Sequence, residues 1–160
     1  MGKLLDFFEA VVGTKYDPNS LSDRIEIQKV VYLGEAIGLN LGSYLFVRKD
    51  RGPYSLTLRL DVLDEIDANP PPPPTVFTEF AQSAIAEIHG LVNYECNDAT
   101  LYEKHELAAS LHYLGLNDCR YQSKEEIIDE LLSWKKDYVD YGDKRFNLDA
   151  AWEKVAPLIS

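Results

Sequence analysis

The chain has 160 residues with 16 Lys/Arg against 27 Asp/Glu, a formal net charge of −11, and 46% apolar residues. A chain of this length can bury roughly two thirds of its unfolded surface, which excludes wholesale disorder and predicts one compact core. The acidity excludes broad attraction to phosphate backbones, because nucleic-acid affinity rests largely on cations that displace counterions.

Leu4, Leu5, Phe8, Val11 and Val12 recur at helical spacing and predict a first amphipathic helix that stops near Gly13. Ser20-Leu21-Ser22-Asp23 has the S-x-x-D form of a capping box and opens a second helix, which Gly38 would end in a left-handed cap. Gln28 and Lys29 fall in the middle of this helix, and a solvated face with Lys29 paired to Glu26 or Glu35 is the plain expectation. Tyr44-Leu45-Phe46-Val47 favours a strand, which must be supported by a hairpin with the residues around Tyr54. Between the two lies Arg48-Lys49-Asp50-Arg51-Gly52-Pro53-Tyr54-Ser55, where the Gly-Pro pair forces a sharp change of direction and three cations gather on an acidic chain. The stretch that follows is ambiguous, since Tyr54, Leu56, Leu58, Leu60 and Val62 alternate while Leu56, Leu60, Leu63 and Ile66 fit a helix. Length and the charges at Asp61, Asp64, Glu65 and Asp67 favour a helix capped by Ser55.

Pro70 to Pro74 form an unbroken proline run, which no helix can cross. It divides residues 1–69, the helices with the hairpin, from residues 76–160, a helical part expected to pack on the first, with 70–75 as a stiff connector. Beyond it, helices are predicted from Phe77 to Val92 and from Leu101 to Leu114, the latter ended by Gly115. A third starts at the S-x-x-E capping box Ser123-Lys124-Glu125-Glu126, and a last one is capped by Asn147. The sum is a mainly α fold of six or seven helices with one small hairpin and a winged-helix-like N-terminal part.

Chemical signatures are sparse. Cys96 and Cys119 have 22 residues between them and no Cys-x-x-Cys pair, which fits a reduced, cytoplasmic protein without a zinc site. No run approaches the 18 or so apolar residues of a membrane span, and Met1-Gly2-Lys3-Leu4-Leu5-Asp6 lacks both an export signal and a myristoylation signal. His105 and His112 are seven residues apart on one helix face, about 10 Å, too far to share a metal, and are expected as ordinary core or surface histidines. The carboxylates at Asp61, Asp64 and Glu65 are expected to be solvated rather than catalytic, and no metal, cofactor or nucleophile motif is present.

The pattern of Ile25-x-x-Gln28-Lys29-Val30-Val31-Tyr32-Leu33, then Gly38, Tyr44-x-Phe46, Gly52-Pro53-Tyr54-Ser55, Leu58-x-x-Asp61 and the later Leu107-Ala108-Ala109-Ser110-Leu111-His112-Tyr113-Leu114 resembles the YwgA-like proteins, a family without an assigned activity. The Gln-Lys helix and the Gly-Pro-Tyr turn also resemble, more distantly, the phage-associated Panacea-domain (SocA-like) antitoxins. The resemblance implies a mostly helical fold with a small hairpin, a bacterial or phage-associated role and, for the antitoxins, function through protein partners.

Function is therefore expected in non-enzymatic interaction or regulation, antitoxin-like, with a protein partner such as a toxin. The candidate binding residues are Lys29, Arg48, Lys49, Arg51, Gly52, Pro53, Tyr54 and Ser55. Residues 1–67 carry 8 Lys/Arg against 11 Asp/Glu and the remainder 8 against 16, so a basic partner would suit the C-terminal half. Two alternatives use the same turn. One is a winged-helix-like nucleic-acid binder with Arg48, Lys49 and Arg51 on phosphates. The other is an enzyme pocket lined by Tyr32, Tyr44 and Tyr54 that gathers Lys29 and the carboxylates.

Overall fold

A computed structural model describes residues 2–96, 99–118, 123–135 and 147–159. It is mainly helical, with seven α-helices and a single two-stranded hairpin among the described residues. Helix α1 (Lys3–Val12) buries Leu4, Phe7, Phe8 and Val11, the face that three-and-four spacing predicts, and stops at Gly13. Its first turn is capped from elsewhere in the fold: the Glu65 carboxylate accepts from the Leu4 and Leu5 N–H groups at 3.1 and 3.0 Å. One of the three carboxylates expected to be solvated is thus a tertiary cap, and burial raises its pKa.

Helix α2 (Leu21–Ile37) starts on the Ser20 hydroxyl, which accepts from the Asp23 N–H, and ends at Gly38 in the left-handed region. Only half of the expected capping box forms, because Asp23 accepts from the Asp17 N–H at 2.9 Å and so braces the preceding turn. Every residue from Glu26 to Gly34 is buried. A helix enclosed on all sides must place its polar side chains against partners inside the protein. This overturns the expected solvated face at Lys29, which is 1% exposed and pairs with neither Glu26 nor Glu35. Glu26 instead meets His105 Nδ1 at 2.7 Å, and Glu35 accepts from the Ser43 and Tyr44 N–H groups.

The hairpin joins β1 (Val47–Lys49) to β2 (Gly52–Tyr54), antiparallel, with Arg48 opposite Pro53. The strand expected over Tyr44 to Val47 begins at its last residue. β2 has only three residues before α3 (Leu56–Asp67), so Tyr44 to Phe46 have no strand to pair with, and the Tyr44 hydroxyl donates to Asp61 at 2.7 Å instead. α3 forms as the helix alternative, with the Ser55 hydroxyl accepting from the Leu58 N–H.

The proline run is exposed, and its far end is pinned to α1 where the Thr75 N–H donates to Asp6 at 2.7 Å. Helices α4 (Glu79–Leu91) and α5 (Leu101–Tyr113) follow, and α5, buried from His105 to His112, packs along α2. The chain does not stop at Gly115 as expected but continues as a π-helical turn over Leu114–Asp118. Helix α6 (Lys124–Trp134) forms the full capping box of Ser123 and Glu126, and α7 (Leu148–Ile159) is capped by Asn147 and packs on α5 through a face that buries Ala151 and Val155. Cys96 is a free, half-buried thiol, and Cys119 lies outside the described residues. Among the described residues no helix is long and apolar enough to cross a membrane.

The two histidines of α5 tie helices together. Tyr32 and His112 are joined at 2.8 Å through Nδ1, which ties α2 to α5. Burial lowers the His112 pKa and keeps the ring neutral. A neutral imidazole has one donor and one acceptor nitrogen, so it pairs with the tyrosine hydroxyl in either tautomer. Below about pH 6.5 the unfolded histidine takes up a proton that the folded one refuses, so stability must fall as pH drops. Chemical denaturation at pH 7 and pH 5.5 is expected to show a smaller loss in His112→Asn than in the wild-type protein.

Candidate binding cleft at the hairpin

Gln28 and Lys29 are adjacent on α2, and they reach Ser55 and β2 respectively. Gln28 Nε2 donates to the Ser55 carbonyl at 3.0 Å, and its Oε1 accepts from the Ser55 N–H at 2.8 Å. Lys29 Nζ donates to the Pro53 carbonyl at 2.8 Å. The backbone polar groups of a short buried strand are thereby satisfied by side chains of a helix. From the other side, α6 holds the turn: Trp134 Nε1 donates to the Lys49 carbonyl at 2.9 Å, and Lys135 Nζ donates to the Asp50 carbonyl. Arg48 joins the same support, 2.7 Å from Glu130 and stacked over the Trp134 ring at 4.5 Å.

Gly52 is fixed by space and conformation together. Its φ of +104° lies in the region that glycine alone enters cheaply, and a Cβ there would stand 2.9 Å from Ser110 Oγ and 3.0 Å from Lys29 Cε. Ser110 Oγ is buried and finds no hydrogen-bond partner among the described residues, so the α5 surface under the turn is closely filled by the glycine backbone.

Two lysines are buried beneath this turn. Burial, reinforced by Lys135 and Arg51, lowers the Lys29 pKa to about 7 in spite of the Glu106 carboxylate. Lys135, 3.9 Å from Glu106, is lowered to about 8, again chiefly by burial. Both remain donors to backbone carbonyls whether charged or neutral, which suits a clamp.

Above the clamp opens a cleft of about 750 Å³ between α2, the hairpin and α3. Arg24, Lys29, Lys49, Arg51 and Arg59 line it, against the single carboxylate of Asp50. Between the cations the walls are apolar, formed by Leu21, Ile25, Ile27, Val62, Leu63 and Ile66, with Tyr16 and Tyr54 at the sides. A cavity with apolar walls and converging cations suits an anionic ligand that carries apolar groups.

Of the sequence candidates, Lys29, Lys49, Arg51, Gly52 and Tyr54 come together here, while Pro53 and Ser55 lie buried behind them and serve the clamp. Arg48 is turned away. Successive residues of a strand face opposite sides, so Lys49 looks into the cleft and Arg48 onto α6. The pocket of three tyrosines is not formed, because Tyr32 is engaged by His112 and Tyr44 by Asp61, and of the three only Tyr54 lines the cleft. Arg24 and Arg59 were not anticipated, although Arg24 lies one turn before Gln28 and Arg59 one turn after the Ser55 cap. Among the described residues no group of three His, Cys, Asp or Glu could hold a metal ion. Compared with known protein families, curated proteins and solved structures, the chain matches none.

Two stability experiments check the clamp. Gln28→Leu removes both partners of a buried backbone and should cost about 2–4 kcal/mol in urea unfolding, whereas Gln82→Leu, at an exposed position, should cost little. Lys29 gives a pH signature of definite sign. Between about pH 7 and the unfolded lysine value near 10.4, the unfolded chain holds a proton that the folded side chain has released, so stability rises with pH over that window. In Lys29→Met the rise between pH 7 and pH 9.5 should shrink to the part that Lys135 contributes.

Proposed function

We propose that this chain is a non-enzymatic interaction protein, regulatory or antitoxin-like, that holds a protein partner at the face made by the hairpin turn and the cleft. The observation that carries it is the concentration of Arg24, Lys49, Arg51 and Arg59 around an apolar cleft on a chain of net charge −11. Concentrated opposite charge guides and orients an encounter, and apolar walls supply the burial that retains it. The more distant resemblance to the Panacea-domain antitoxins supports the same function, since it rests on the Gln28-Lys29 helix and the Gly52-Pro53-Tyr54 turn that build this face. The free, half-buried thiol of Cys96 supports a reducing, cytoplasmic setting.

Nucleic-acid binding by the hairpin draws less support. Arg48 is committed to Glu130 and Trp134, so only Lys49 and Arg51 of the three hairpin cations face the cleft. Few phosphate contacts leave little counterion release to offset the repulsion of an acidic chain.

Capture on tagged protein from nuclease-treated lysate of the source cells decides the matter. One stoichiometric protein should be retained by the wild type and lost from the Arg51→Ala/Tyr54→Ala double variant, whose fold is checked by circular dichroism. Retention of nothing from treated lysate, with nucleic acid recovered from untreated lysate, would reverse the proposal in favour of the winged-helix-like alternative.

A further inference from the structure

The outer surface of α3 extends the cleft. Leu56, Leu60 and Leu63 are 57%, 50% and 43% exposed, and they follow one another at helical spacing of four and three residues, so they form one stripe. Leu63 also lines the cleft, as does Arg59 one turn before it, so the stripe and the cleft are one continuous apolar surface edged by cations. α3 has 12 residues and is therefore about 18 Å long. A phosphate or another small anion would engage the cations and leave the leucines in water. A nucleic-acid strand would engage the same cations and gain little from aliphatic side chains, since single strands are held by aromatic stacking and charge.

We propose that the occupant of this surface is an acidic amphipathic segment of the partner protein. Its apolar side chains lie on Leu60, Leu63 and Ile66, and its carboxylates meet Arg24, Lys49, Arg51 and Arg59. This rests on the hairpin face being the interaction surface. Charge complementarity fixes the sign of the partner: Arg24, Lys49, Arg51 and Arg59 against the one lining carboxylate repel a basic helix and attract an acidic one. The exposed leucines fix the amphipathic character, because an apolar stripe beside a groove is the surface on which a helix presents residues three and four apart. The more acidic remainder of the chain, with 8 Lys/Arg against 16 Asp/Glu beyond Asp67, is left free to meet a basic surface of the same partner.

The test uses fluorescence anisotropy on the full chain with three labelled peptides of about four helical turns. The first has leucines spaced three and four apart among glutamates, the second scrambles that composition, and the third replaces every glutamate by lysine. The first should bind at about 50 mM salt, weaken as salt is raised, and bind at least about tenfold better than the other two. Arg51→Glu with Arg59→Glu should weaken it at least about tenfold, and so should Leu60→Asp with Leu63→Asp. All four positions are exposed, so both variants should stay folded, as circular dichroism and cooperative melting check. Equal binding of the scrambled peptide, no binding of the first, or its displacement by inorganic phosphate or a single-stranded oligonucleotide would each overturn the proposal. So would a salt-sensitive dimer that Arg51→Glu/Arg59→Glu dissolves, since a second copy would then be the occupant. If lysate capture retains a partner on the turn while the first peptide does not bind, this inference falls and the interaction function stands.

Discussion

The architecture depends on one contact between two short segments, the Gln28-Lys29 pair of α2 and the Gly52-to-Ser55 segment that it holds, made of β2 and the residue after it. Three side-chain bonds join them, two from the glutamine to both backbone groups of Ser55 and one from the lysine to the Pro53 carbonyl. A three-residue strand has too few ladder bonds to persist unaided. Placed at the centre of the fold, it would also bury backbone groups with no partner, and each such group costs about 1–3 kcal/mol. The helix removes that cost by supplying donors and an acceptor from within the core. Ser55 then caps α3, so the same residue that receives the clamp also sets where the next helix begins.

Burying a lysine to achieve this has a consequence that extends beyond stability. The Lys29 ammonium is desolvated, lies near Arg51 and Lys135, and is balanced by Glu106 from α5. An uncompensated buried charge is costly, and the fold responds in two ways: it lowers the proton affinity of the amine and brings a carboxylate toward it. The turn above is thereby held rigidly from α2 on one side and α6 on the other. Rigid presentation reduces the entropy lost on binding, which supports the proposed recognition at this turn.

The cleft follows from the same geometry. Gly52 lies against Ser110 and Lys29, and residues of α2, the hairpin and α3 together line the cleft. Its walls come from the apolar flanks of the two helices and its rim from the ends of long cationic side chains. Arginine and lysine can lay their methylenes along such walls while the charged heads remain in water. The concentration of positive charge on a chain of net charge −11 is thus a product of how two helices and a turn meet. No local run of basic sequence produces it: the nearest candidate, Arg48 to Arg51, loses its first arginine to α6.

What the residues determined on their own was local. Helix starts at Ser20, Ser55, Ser123 and Asn147, and stops at Gly13 and Gly38, follow from side chains bonding the nearest free backbone groups, an effect that acts over three or four residues. The mainly α character, the presence of a hairpin at the Gly-Pro turn and the helical choice for Leu56 to Asp67 were legible for the same reason. Tertiary structure decided which polar residues were structural and which faced the cleft. Lys29 looked solvated because a helical pattern shows periodicity and not how many neighbours enclose the helix, and α2 proved to be enclosed on every side. Glu65, Glu26 and His112 found partners 60, 79 and 80 residues away in sequence or at similar separations, and Arg24 and Arg59 met across a cleft that exists only after packing. Contacts of that range are set by how helices stack in three dimensions, which no short stretch of the chain encodes.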